Sequence, residues 1–152
     1  MNILFVCSGN VSRSYLAEML LRYEVQTADV SNISVSSAGL FAYPGNHPDP
    51  RMVEYLQKRG IDAGDHGARQ MSKEDMDWAD LILVMERGQK EMIEHSWPEA
   101  EGKVELLGRY GSGGPTADDI VDPFGMSSYH YRLSQAQIAL AIESLVKKVF
   151  AR

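Results

Sequence analysis

Two residue types that can act together on an anion stand near the start of the chain. Cys7, the only cysteine, is followed after five residues by Arg13, with Gly9 and Asn10 between them. A turn of this length can wrap its backbone N–H groups round a tetrahedral dianion, and Gly9 and Asn10 are expected to tolerate the unusual backbone angles it demands. Arg13 can fork two N–H groups onto two oxygens of a phosphate. The same surroundings act on the thiol. An ordinary cysteine is only about 3% thiolate at pH 7, and a helix N-terminus beside a guanidinium favours the anion. A lone cysteine at a strand end is more often a small buried hydrophobe than a nucleophile. The arginine at this spacing reverses that reading, together with Asp122, a carboxyl that can carry a proton to a leaving group.

These groups need a frame that brings them together, and the hydrophobic pattern describes one. Residues 2–6 read as a buried strand that ends in the tight loop from Cys7 to Asn10, and Leu16, Met19, Leu20 and Tyr23 follow at helical spacing. A second strand covers residues 33–37 and closes at Ala38-Gly39, before a loop that holds Pro44, Gly45, Pro48 and Pro50. The pattern predicts a helix over residues 49–59, with Val53 and Leu56 inward and Gly60 as its stop. A third strand covers 81–85 between helices at 72–78 and 88–95, and a fourth covers 104–107. Residues 108–125 carry five of the 13 glycines together with Pro115 and Pro123, which predicts a long functional loop. A last helix places Ile138, Ile142, Leu145 and Val149 on one face. Strands alternating with helices give an α/β fold with a parallel sheet covered on both faces. Ligands bind such sheets beyond the C-terminal ends of the strands, where Cys7 sits.

The composition narrows the function classes. The 152 residues are expected to form one domain over 1–152. A net charge of -6 argues against nucleic acid and against an anionic membrane as partners, so an anionic substrate must be met by a local positive field. A single cysteine excludes an internal disulfide and a multi-thiolate metal site, and points to a reducing compartment. The first apolar run lacks a basic flank and is too short for a signal peptide, so the protein is expected in the cytoplasm. The Gly111-Ser112-Gly113-Gly114 tetrad does not complete a dinucleotide fingerprint, and there is no Walker A pattern. Asp118 and Asp119 read as solvated loop charges rather than metal ligands, and His47, His95 and His130 as ordinary polar residues. Neither a metal nor a cofactor is expected.

Residues 6–14, V-C-S-G-N-V-S-R-S, resemble the active-site loop of the low-molecular-weight protein tyrosine phosphatases, and Asp122-Pro123-Phe124 resembles their general-acid loop. Ser37-Ala38-Gly39, His66-Gly67-Ala68-Arg69 and the apolar third strand also recur in order, so the resemblance spans essentially the whole chain. It implies a four-stranded parallel sheet with helices on both faces, and metal-independent hydrolysis of phosphotyrosine through a phosphocysteine. Carried over residue by residue, it makes Cys7 the nucleophile, Arg13 the ligand of the phosphate oxygens and Asp122 the acid for the leaving phenolate. Ser8, Gly9, Asn10, Val11, Ser12 and Ser14 fall in the phosphate-binding loop, with Ser14 also bonded to the thiolate. Asn10, Ser37 and His66 would brace that loop, and Tyr43 and Phe124 would wall the substrate slot. The implied partners are phosphotyrosine-containing proteins and a cognate tyrosine kinase.

The pattern also departs from the family. Ser12 stands where a second cysteine is usual, Tyr15 where a proline opens the helix, Glu86 where aspartate follows the third strand, and Gly125 where a second aromatic follows the acid motif. Gly125 is expected to leave one wall of the slot open. Three alternatives come from other classes. An arsenate reductase of this fold would need resolving cysteines that the chain lacks. A non-catalytic phosphoprotein-binding module would not need Asp122. A protein arginine phosphatase is associated with threonine four residues after the nucleophile, where this chain has Val11.

Overall fold

A computed structural model describes residues 1–112 and 119–151. Gly113, Gly114, Pro115 and Asp118, which bear on the sequence reading of the long loop, lie outside the described residues. The elements run β1 (Asn2–Cys7), α1 (Arg13–Thr27), β2 (Ser34–Gly39), α2 (Pro50–Lys58), α3 (Lys73–Trp78), β3 (Leu81–Val84), α4 (Arg87–Ser96), β4 (Val104–Leu106), α5 (Gly108–Ser112) and α6 (Ser128–Phe150). The four strands form one parallel sheet in the order β2-β1-β3-β4. β1 is therefore central, and Cys7 at its end pairs with Gly39 of β2.

The side chains of β1 divide between two cores, as a strand with period two requires when both sheet faces are covered. Ile3 and Phe5 pack with Leu16, Leu20, Ile138 and Leu145, residues of α1 and α6. Leu4 and Val6 pack on the other side with Met76, Ile82 and Ile93. Each fully buried aliphatic of this kind contributes roughly 1.5–3 kcal/mol, so the strand that presents the cysteine is among the best anchored in the molecule.

Local signals set most of the element ends. Asp49 caps α2 by accepting from Arg51 N at 3.0 Å, Pro50 occupies the first helical position, and Gly60 follows the helix with φ +74°. Ser72 and Asp75 form a capping box at the start of α3. The differences from the sequence pattern are small. Tyr23 is 40% exposed rather than inward, and in α2 Met52 is buried whereas Val53 is only partly so. The glycine-rich stretch predicted as one loop from 108 begins instead with the short helix α5, where a Cβ added to Gly111 would lie in ordinary contact with Ala141 of α6, 3.7 Å away. A glycine-rich run can hold a helical turn, which composition alone does not separate from a loop.

Candidate active site

The loop between β1 and α1 is stabilised by residues that approach it from four directions. Asn10 is fully buried with φ +57°, the left-handed region that asparagine enters more readily than most residues. Gly9 needs no such freedom: its φ is not positive, and an added Cβ would meet only Val11 Cγ2 at 3.9 Å. The glycine that the loop demands is Gly39, where a Cβ would lie 2.7 Å from Ser8 O and 3.0 Å from Asn10 N. The loop thus rests on the bare backbone at the end of β2.

The polar groups behind the loop are matched donor to acceptor. Asn10 Oδ1 accepts from Arg69 N at 2.9 Å, which fixes the orientation of the amide. Its Nδ2 then donates to Ser14 Oγ at 2.9 Å and to Ser37 Oγ at 2.8 Å. Ser37 Oγ donates onward to Glu18 Oε1, since an ionised carboxylate can only accept. Ser14 Oγ has accepted from Asn10, so its single proton is available for Cys7 Sγ, 3.0 Å away. His66 Nε2 donates to the carbonyl of Asn10 at 2.8 Å, and its ring lies 4.7 Å from that of Tyr15. The phenol of Tyr15 is pushed up to about 12, first by burial and then by Glu18 and Asp62.

Arg13 is 1% exposed, so its charge needs compensation. Nη2 contacts Glu86 Oε2 at 2.7 Å, and Nη1 donates to Ile120 O at 2.8 Å. Two of the five guanidinium donors are thereby used to aim the plane, and the others remain for an anion. Gln89 extends this support. Its Oε1 accepts from Met85 N and Glu86 N, and its Nε2 lies 3.3 Å from both Glu86 Oε2 and Ser8 Oγ.

Asp122 arrives from the segment before α6. Ile120 N donates to Met85 O at 2.9 Å and Val121 N to Gln137 Oε1 at 3.2 Å, which brings the segment to the end of β3. Asp122 Oδ2 stands 3.6 Å from Arg13 Nη2, and Oδ1 accepts from Phe124 N at 3.2 Å. Its side chain is 52% exposed, in contrast to the 2% of Arg13.

A cleft of about 360 Å³ opens over these groups, lined by Cys7, Ser8, Gly9, Val11, Ser12, Arg13, Phe41, Tyr43, Asn46, Asp122 and Phe124. A larger cleft of about 730 Å³, lined by Glu18, Arg22, His66 and Arg69 among others, contains neither Cys7 nor Asp122. The smaller one gathers the candidate catalytic groups.

The sequence-predicted residues divide into two layers. Cys7, Ser8, Gly9, Val11, Ser12, Arg13, Tyr43, Asp122 and Phe124 line the cleft. Asn10 and Ser14, expected among the phosphate ligands, direct their side chains into the network with Ser37 and His66. The slot has a wall that the pattern did not supply: Phe41 stands with Tyr43 and Phe124, while Gly125 has φ +76° in a turn closed by Met126 N to Pro123 O at 2.9 Å. Asp119 is a positioned acceptor for Arg87 N at 2.9 Å rather than a merely solvated charge. Phe41, Asn46, Glu18 and Gln89 were not legible as site residues. Glu18 had a signal, being the one charge in the apolar run from Tyr15 to Leu21.

The sequence matches the family described as "Low molecular weight phosphotyrosine protein phosphatase" over residues 2–152. The chain belongs to the low-molecular-weight protein tyrosine phosphatases. It is similar to a protein-arginine-phosphatase of Geobacillus stearothermophilus, 37% identical over 97% of this chain and 95% of the relative. It is also 34% identical to a probable low molecular weight protein-tyrosine-phosphatase, EpsP, of Ralstonia nicotianae, over 98% of this chain and 96% of the relative. Among solved structures, an arginine phosphatase described as a C7S mutant with a phosphorylated active-site serine superposes with a TM-score of 0.89 at 32% identity, covering 98% of this chain and 95% of that one. The enzyme is a phosphatase of this hydrolase family, with the family's four-stranded parallel sheet. Among the described residues no helix is long and apolar enough to cross a membrane.

Proposed function

We propose that this phosphatase hydrolyses phosphotyrosine in proteins through a phosphocysteine on Cys7. The observation that carries the reading is the meeting of Cys7, Arg13 and Asp122 in one cleft with Phe41, Tyr43 and Phe124 at its mouth. The thiolate attacks phosphorus as the P–O bond to the aryl group breaks, and Asp122 gives its proton to the departing phenolate. Arg13 and the loop N–H groups hold the equatorial oxygens, where charge accumulates. A water then surrenders a proton to the Asp122 carboxylate and attacks the phosphocysteine, releasing inorganic phosphate and the thiolate. A relative phosphorylated on an active-site serine supports the covalent step.

Arginine phosphatases among the relatives favour a second reading, dephosphorylation of phosphoarginine. Val11 in the cleft argues for the first. Valine has no hydroxyl to meet a guanidinium or an attacking water, while its methyl groups suit a flat apolar ring. Phosphoserine is too short to bring phosphate to the loop. A free cysteine suits a reducing compartment, consistent with a cytoplasmic enzyme whose substrates a tyrosine kinase supplies.

The test is turnover on phosphotyrosyl and phosphoarginyl peptides, with Cys7→Ser as control. Phosphotyrosine should show the higher kcat/KM, Cys7→Ser should abolish turnover, and chelators should leave the rate unchanged. A higher kcat/KM on phosphoarginine would establish the second reading.

A further inference from the structure

Asp49 joins three elements that the chemistry does not obviously require to be joined. It is 3% exposed, yet its carboxylate is satisfied by N–H and O–H donors: Oδ1 accepts from Arg51 N at 3.0 Å and Oδ2 from the phenol of Tyr131 at 2.6 Å. Its own N–H donates to Val11 O at 2.8 Å, so it also holds the phosphate loop. A second strut runs parallel to the first. Arg51 Nη1 donates to Ser128 Oγ at 3.0 Å, and the guanidinium lies 4.9 Å from the centre of the Tyr131 ring.

Ser128 and Tyr131 lie in the first turn of α6, six and nine residues beyond Asp122. Upstream, the acid-bearing segment is fixed by Ile120 at the end of β3; downstream, it is fixed where α6 begins. The start of α6 in turn is held by α2, and α2 by the carbonyl of Val11. The path from nucleophile loop to acid is therefore continuous through Asp49 and Tyr131. Burial and the hydrogen bond to Asp49 push the phenol of Tyr131 up to about 12, so it remains a donor throughout the range in which such chemistry is run.

We propose that Asp49 and Tyr131 are positioning residues that set the separation between the phosphate loop and Asp122, and so govern the proton transfer to the leaving group rather than phosphate binding. This rests on the assignment of Asp122 as general acid. A buried carboxylate needed only to cap α2 would require Arg51 N and nothing from α6. A bond to the one helix that follows the acid gives the carboxylate a second task.

The experiment is a leaving-group series of aryl phosphates on the wild type, Tyr131→Phe, Asp122→Ala and the double variant, with inhibition by inorganic phosphate measured on each. Tyr131→Phe should lower kcat/KM about tenfold on phenyl phosphate and less than twofold on an ester of an acidic phenol, with the phosphate inhibition constant unchanged. In the Asp122→Ala background the same substitution should have no further effect on phenyl phosphate, because the proton it positions is already gone. Equal loss on good and poor leaving groups, full additivity with Asp122→Ala, or no loss at all would overturn the inference. A flat series in Asp122→Ala itself would overturn the acid assignment and this inference with it, whereas a steep series there beside a flat loss in Tyr131→Phe overturns the inference alone. Should Tyr131→Phe not fold, Arg51→Met, at an exposed side chain, carries the same test with a smaller expected slope.

Discussion

The two halves of the catalytic cleft are built on opposite principles. On one side Asn10, Ser14 and Arg13 are at most 1% exposed, and their polar atoms are tied to Ser37, Arg69, Glu86 and Ile120. On the other, Tyr43 is 76% exposed, Phe124 61%, and Asp122 stands half in solvent. The first half must present donors to an oxyanion without reorganising, which is where electrostatic preorganisation is most effective. In the proposed mechanism the second admits a protein side chain and passes a proton, and it keeps contact with water. The difference teaches that the rim, where Gly125 departs from the family and Phe41 lines the cleft, is built of exposed groups that few partners constrain. A departure behind the loop would have to be matched by its partners.

Four substitutions or conditions would break or sharpen this contrast. The largest effect is expected from Arg13→Lys, which keeps the charge but loses the planar fork aimed by Glu86 and Ile120 O. Turnover should fall about 10³-fold whatever the leaving group, measured as kcat/KM across aryl phosphates. Asp122→Ala should cost about 10² in rate on phenyl phosphate and much less on acidic phenols, while thermal stability stays within about 0.5 kcal/mol of the wild type. A large stability loss there would place Asp122 with the buried half.

The third condition is alkaline pH. Tyr15 and Tyr131 are both held up to about 12 in the folded protein, chiefly by burial, while phenols in the unfolded chain ionise near their ordinary 10. The neutral phenols therefore contribute stability that is intact below about pH 10 and lost as pH rises towards 12, on the order of 2 kcal/mol each. Denaturant midpoints should fall across that window, and Tyr15→Phe should make the fall shallower. The smallest effect is expected at the rim. Tyr43→Ala should raise KM about two- to tenfold for aryl phosphates with kcat nearly unchanged, as loss of a single exposed aromatic wall implies.

The sequence made the sheet and the candidate reacting groups legible because both are local statements. Cys7 and Arg13 lie in one turn, and the apolar runs of β1 and β3 announce buried strands without reference to anything distant. The support was harder to read because it is assembled across the chain: Arg13 with Glu86 and Ile120, Asn10 with Ser37 and Arg69, Asp49 with Tyr131. No periodicity encodes which polar residue will face which. Glu86 was visible as a departure from the family, yet its contact with Arg13 exists only in the fold. Gly9 and Gly39 show the same limit: a glycine in a loop motif suggests backbone freedom, but only packing reveals that the close approach occurs at Gly39.

The resting of the nucleophile loop on Gly39 and on the backbone of Arg69 also has a consequence for biosynthesis. The loop that shapes the cysteine lacks its floor until residue 39 leaves the ribosome and its amide anchor until residue 69 does. The guanidinium partner at residue 86 and the carbonyl at 120 come later still, and the helix that closes the acid segment follows them. Because domains fold largely as units while the chain is synthesised, the nascent chain carries its thiol, until those residues emerge, without the groups that complete the cleft. Its reactivity is thereby coupled to synthesis of the residues up to the helix at Ser128–Phe150.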